Sequence, residues 1–248
     1  MKKQLIFKLI GLFVIGQFLG SCKKEITPIY QAPNTNLKIN WTHSIDGVPL
    51  TMDTIMYVNQ SGSKYSVTRC QYYLSGFELT KLDGSKTKLE GIVYGDARQE
   101  KHEIKFNGFP AGTYTGIEFL IGLAPDQNIS NSLESTEGNI NMAWPDVIGG
   151  GYHFLKFEGY YLDTSNLKKG FTMHIGTNDM LIHHQKISYS FTVNENENST
   201  INLNMNLNEW FKNPYTYNFN KDGNYTMAIP TLMTLLKNNG SDVFSIKE

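Results

Sequence analysis

Beyond residue 36 the chain alternates apolar and polar positions. Leu37, Ile39 and Trp41 are spaced by polar residues. The same spacing recurs at Ile117, Phe119, Ile121 and Leu123, at Ile187, Tyr189, Phe191 and Val193, and at Ile201, Leu203, Met205 and Leu207. A period of two gives each segment one apolar face and predicts half-buried strands. Turn-forming residues separate them: Asp46-Gly47, Ser61-Gly62, Asp83-Gly84, Asn107-Gly108 before Pro110, and Gly149-Gly150-Gly151. Short strands joined by such turns predict an all-β fold, an antiparallel sandwich or barrel. Helix is confined to short additions near the C-terminus. One is predicted over residues 229–238, with Pro230 in its first turn and Gly240 just past its end. The other is a turn through Glu209, Trp210 and Phe211, with Asn208 as its cap. Residues 37–248 form one domain in this reading.

The first residues follow a different pattern. Lys2 and Lys3 precede an apolar run from Leu5 to Leu19, and Gly20 and Ser21 precede Cys22. These are the parts of a secretory signal with a lipoprotein cleavage box, so residues 1–22 are expected to be removed up to an acylated Cys22. Residues 23–36, with Pro28 and Pro33, read as a tether. The expected location is the cell envelope, most naturally the outer membrane, on its periplasmic face or at the cell surface. No second apolar run is long enough to span a bilayer, so lipid is the expected membrane attachment.

Charge and cysteine content narrow the chemistry. The full chain carries 22 basic and 23 acidic residues, a balance that offers no electrostatic case for nucleic acid. Of two cysteines only Cys70 follows Cys22. That excludes an internal disulfide and a cysteine zinc cage in the mature chain, and a strand context predicts a buried thiol. No phosphate loop, nucleophile elbow, zinc-protease helix or dinucleotide fingerprint occurs, and no carboxylate pair stands out. The expectation is a binding protein and not an enzyme.

The six histidines are the remaining donors: His43, His102, His153, His174, His183 and His184. His43 continues the spacing of Trp41, so tryptophan and histidine share an inward face. His174 alternates with Thr172 and Gly176, away from Phe171, Met173 and Ile175. His153 lies on the side of Leu155 and Phe157. Of the adjacent His183 and His184, at least one should meet solvent. Several imidazoles in an exported protein suit copper.

Four segments, taken in order, resemble the copper-binding MbnP-like family of secreted proteins and lipoproteins. Tyr72-Tyr73-Leu74-Ser75 through Leu79, followed by Asp83-Gly84, is similar to the family's "YYLSN-x-x-L" strand and DG turn. Pro110-Ala111-Gly112 through Ile121-Gly122, with Asn128 downstream, is similar to "PAG-x-Y-x-x-I-x-F-x-IG". Asn141-Met142-Ala143-Trp144 and Gly151-Tyr152-His153 through Glu158-Gly159 resemble "GM-x-W-x-W-x-x-GY-x-F-x-K-x-EG". Phe171 to Gly176 resembles "F-x-x-HIG". The second Trp of "W-x-W" is absent, because Pro145 and Asp146 follow Trp144. Ile129 stands where methanotroph-type members carry a histidine.

The resemblance implies a β-sandwich that binds copper, with His174 as the histidine matching the family motif. With His43, beside Trp41 on one strand face, as the second candidate ligand, the expectation is a protein that captures or holds Cu(I). The resemblance also implies a tryptophan oxidised to kynurenine, with Trp41 and Trp144 as candidates, and a dihaem peroxidase-like partner protein. The competing expectation is a metal-free module whose loops, near Trp144, Tyr160, Tyr161, Tyr215 and Tyr217, bind glycan or protein.

Overall fold

The computed structural model describes residues 33–247. The signal, Cys22 and most of the tether lie outside them. Eight strands have six or more residues: β1 (Asn36–Ile45), β2 (Lys64–Lys81), β3 (His102–Asn107), β4 (Gly112–Ile121), β5 (His153–Leu162), β6 (Lys168–Gly176), β7 (Ile187–Val193) and β8 (Asn198–Asn206). In the first sheet, β1 runs between β8 and β3. In the second, the order is β6-β5-β2-β4, with β7 continuing beyond β4. The fold is all-β, as the alternation predicts. One pairing departs from the antiparallel pattern: β1 and β8 are parallel, in register from Asn36 with Asn198 to Ser44 with Asn206.

The apolar faces of the two sheets meet in one core. Leu37, Ile39 and Trp41 of β1 are buried there with Phe77 and Leu79 of β2 and Ile117 and Phe119 of β4. Phe106 of β3 lies 5.1 Å from Phe77 across the interface, centroid to centroid. Cys70 is buried within it, and burial pushes its thiol well above the usual range. The helix α1 (Pro230–Asn239) begins with proline and ends at Gly240, one residue from the expected bounds, and buries Met233 and Leu236. The turn over Leu207–Phe211 is a 3-10 helix capped by Asn206, not Asn208. Asn208 is instead buried and accepts a hydrogen bond from Tyr65 Oη.

His184 shows how this core treats imidazole. His183 is exposed, whereas His184 is buried and stacked 4.8 Å from Phe119. The Phe244 amide donates to His184 Nε2 at 2.9 Å, which makes Nε2 an acceptor, so Nδ1–H donates to the Gln185 carbonyl at 2.7 Å. Burial lowers its pKa to about 4. The unfolded state, with a His pKa near 6.5, therefore binds more protons between about pH 6.5 and 4. His184 contributes stability above that window and loses it as pH falls, at about 1.4 kcal/mol per pH unit. Denaturant unfolding at pH 7 and 4.5 should show a shallower acid loss for His184→Asn than for the wild type. Equal losses would contradict the assignment.

Candidate metal centre

Four of the six histidines meet as two pairs, and each pair has a tryptophan beside it. His43 and His174, expected as companions, lie in different sheets, each against another histidine.

The first pair forms where β1 and β3 run side by side. Trp41 and His102 are direct cross-strand partners, and His43 stands two residues on along the same face. The His43 and His102 rings are 4.6 Å apart and nearly perpendicular, and Trp41 is 5.5 Å from His102. All three are buried. The second sheet supplies the polar partners. Tyr72 Oη, from β2, accepts Trp41 Nε1–H at 2.7 Å and lies 2.7 Å from His43 Nε2. The His102 Nε2–H donates to the Asp96 carbonyl at 2.7 Å. The tyrosine ring fits because Gly95 lies opposite Tyr72, where a Cβ would stand 2.6 Å from it.

Those hydrogen bonds determine which nitrogens remain. With Nε2–H given to Asp96, His102 Nδ1 carries a bare lone pair. Tyr72 Oη accepts from Trp41, and His43 Nε2 is the acceptor within reach of the Tyr72 O–H, which places the His43 hydrogen on Nδ1; in the other tautomer His43 Nε2–H donates to Oη and Nδ1 is bare. Burial, and secondarily the neighbouring His102, lowers the pKa of His43 to about 3; burial lowers that of His102 too. Both rings are therefore neutral, the form that ligates metal. They form part of the wall of a cavity of about 620 Å³, lined also by Leu50, Gln99, Glu100 and Lys247.

The second pair joins neighbouring strands of the other sheet. Gly176 of β6 is the register partner of His153 on β5, and His174 partners Lys156, so the two histidines are diagonal neighbours. Their rings are 5.0 Å apart and perpendicular. Trp144 stands edge-on, 4.7 Å from His153, and donates Nε1–H to the Ile148 carbonyl. Its indole lies over Gly176, where any Cβ would overlap the ring. That is the physical need for glycine after His174-Ile175. Asn128 Oδ1 accepts the Tyr152 amide at 2.8 Å and orders the approach to His153.

Here too the tautomers are settled. His153 Nδ1–H donates to the Met142 carbonyl at 3.1 Å, and His174 Nε2–H donates to Glu158 Oε1 at 2.9 Å. Arg69 grips the same carboxylate at 2.8 and 3.0 Å. Burial would raise the Glu158 pKa, but His174 and Arg69 hold it below the usual range. Burial, with Lys156 and His174 nearby, lowers the pKa of His153 to about 3. What remains is His153 Nε2 and His174 Nδ1. Both are buried and neither has a hydrogen-bond partner. A buried acceptor left unmet costs about 1–3 kcal/mol.

Sequence reasoning named His43, His174, Trp41 and Trp144 but passed over His102 and His153 as their partners. His102 carried one signal, a histidine in a short strand between turns, and His153 another, in the "GY-x-F" segment. The aromatic loop expected to bind glycan is largely internal: Trp144, Tyr161 and Tyr217 are buried, while Tyr160 and Tyr215 are exposed. Among the described residues, no group of three or more His, Cys, Asp or Glu side chains is placed to hold a metal.

Gly176→Ala should drive a methyl into the Trp144 ring and cost about 1–3 kcal/mol, as overpacking does. Denaturant unfolding followed by tryptophan emission measures it, and an unchanged midpoint would contradict the packing described.

Comparison with known proteins places these residues in context. The MbnP family model matches residues 34–229, a span that includes both pairs. No curated protein matches the chain. Among solved structures, MbnP from Methylosinus trichosporium aligns at 16% identity with a TM-score of 0.48, covering 73% of this chain and 79% of that one.

Proposed function

Because the chain belongs to the MbnP family, we propose that it is a copper-binding protein of the cell envelope that takes up Cu(I) between His43 and His102. The observation that carries this reading is the His43–His102 pair itself: two neutral, desolvated imidazoles 4.6 Å apart on the wall of a cavity of about 620 Å³. Capture requires a path from solvent, and this pair has one.

Neutral imidazole suits copper. The residues around the pair do what outer partners of a metal-binding histidine do, fixing ring orientation and tautomer. The Asp96 carbonyl holds His102 and the Tyr72 hydroxyl holds His43. Trp41 shares that hydroxyl, which makes it the tryptophan whose oxidation would alter the site, and a dihaem peroxidase-like partner is the modifying protein the family resemblance suggests. Cys22 supplies the anchor. Each buried acyl methylene contributes about 0.8 kcal/mol, and two or more chains give stable attachment.

Anaerobic competition against a chromophoric Cu(I) chelator tests the site. His43→Ala and His102→Ala should each weaken binding by more than the about 10- to 100-fold typical of losing an outer partner. Tyr72→Phe should fall within that range. Wild-type protein that fails to compete, or variants that compete equally well, would overturn the reading. Cys22→Ser should move the protein from the membrane to the soluble fraction, and continued sedimentation with membranes would argue against the lipid anchor.

A further inference from the structure

The outward face of the first sheet is open to solvent over most of its length, and its composition is unusual for strands. With the alternate positions buried in the core, β1 presents Asn36 and Asn40 there, and β8 presents Asn198, Asn202, Asn204 and Asn206. Asparagine is depleted from strands, because its short amide competes with the backbone for hydrogen bonds. Here the parallel register lines the amides up, with Asn36 opposite Asn198 and Asn40 opposite Asn202. Asn40 Nδ2–H donates to Asn202 Oδ1 at 3.0 Å, and Asn204 Nδ2–H donates to Ser44 Oγ at 2.8 Å. Those bonds hold the amides in a row, and each amide still has a donor or acceptor to offer.

The charge on this face is unbalanced. Lys38 on β1 and Lys105 on β3 are direct cross-strand partners, and like charges so placed destabilise a sheet. Lys105 is bridged to Glu103 at 3.1 Å, but Lys38 has no ion-pair partner among the described residues. Lys105 first, then Lys38 and Lys101, hold the Glu103 carboxyl below the usual range, so one carboxylate serves three ammonium groups. An anion placed here would relieve that excess.

The row and the lysines share a shallow trough. A depression of about 380 Å³ surrounds Lys38 and Lys105, and the next, of about 350 Å³, follows Asn40 and Asn202. Thr42 and Lys247 line that one and the 620 Å³ cavity alike, so the trough continues along β1. From Asn36 to Ser44 it runs about 26 Å, at about 3.3 Å per residue.

The side chains select the occupant. Protein interfaces centre on aromatic, Met and Arg side chains and are depleted in Lys. Single-stranded nucleic acid stacks its bases on aromatic rings. The outward positions of β1, β3 and β8 hold none of those groups. They offer amides and hydroxyls, which suit sugar hydroxyls because both donate and accept, and ammonium groups, which suit carboxylates. We propose that this face binds an extended acidic polysaccharide, with carboxylates at Lys38 and Lys105 and sugar hydroxyls along the asparagine row. The site uses no metal and no histidine, so it stands apart from copper capture.

Isothermal titration of the full chain in non-ionic detergent, with EDTA present, tests it using polygalacturonate as the acidic chain. The expected result is binding that weakens as salt rises, and none to neutral dextran. Lys38→Ala together with Lys105→Ala should weaken binding by about 10-fold or more. Asn40→Ala together with Asn202→Ala removes no charge, yet should weaken it by about 3- to 10-fold. Circular dichroism checks that both variants fold. Dextran bound equally well, or a lysine variant that binds like the wild type, would overturn the proposal. An unaffected asparagine variant, or oligo(dT) bound as tightly as polygalacturonate, would reduce the face to a general anion surface and overturn it too. So would a wild type that binds no polygalacturonate; with no copper present, that result would leave the Cu(I) reading untouched.

Discussion

The hydroxyl of Tyr72 is where the two sheets exchange a polar contact inside an otherwise apolar interface. It belongs to β2, it accepts the indole N–H of Trp41 on β1, and it meets His43 on the same strand. A tyrosine with no exposure must satisfy its hydroxyl internally, and the partners it meets are Trp41 and His43, which shape the His43–His102 pair. The Asp96 carbonyl repeats the arrangement from the neighbouring strand, receiving His102. Sheet packing and site geometry are therefore the same set of contacts. A shift of one sheet against the other would release both rings.

The same constraint sets the chemistry. Desolvation removes the proton from these histidines across the physiological range, and carbonyl or hydroxyl partners decide which nitrogen keeps its hydrogen. In the second sheet a carboxylate plays that part for His174, itself neutralised by Arg69. The motif residues acquire physical meaning in this setting. Gly176 exists so that Trp144 can lie flat on β6, and Asn128 so that the loop before His153 enters β5 at a fixed place.

Much of this was readable in the sequence, within limits set by locality. Period-two spacing located the strands and put Trp41 and His43 on one inward face, because face is a property of a single strand. Pro230 and Gly240 located the helix for the same reason. Partnership between strands distant in sequence is not a local property. Nothing in β1 announces that it pairs in parallel with β8 or lies beside His102, so strand spacing selects His43 and the family pattern selects His174 with no sign that they lie apart. The pairing of His153 with His174 likewise depends on the β5–β6 register and on the irregularity between Ile175 and Gly176, which no spacing rule discloses.

The proposed copper ligands are neutral imidazoles oriented from the opposite sheet. X-ray absorption at the copper K-edge, on protein loaded with Cu(I) under argon, tests that assignment most directly. The account predicts a low-coordinate Cu(I) edge and a nitrogen first shell with the outer scattering of imidazole rings. A first shell dominated by sulfur or by carboxylate oxygen would contradict it.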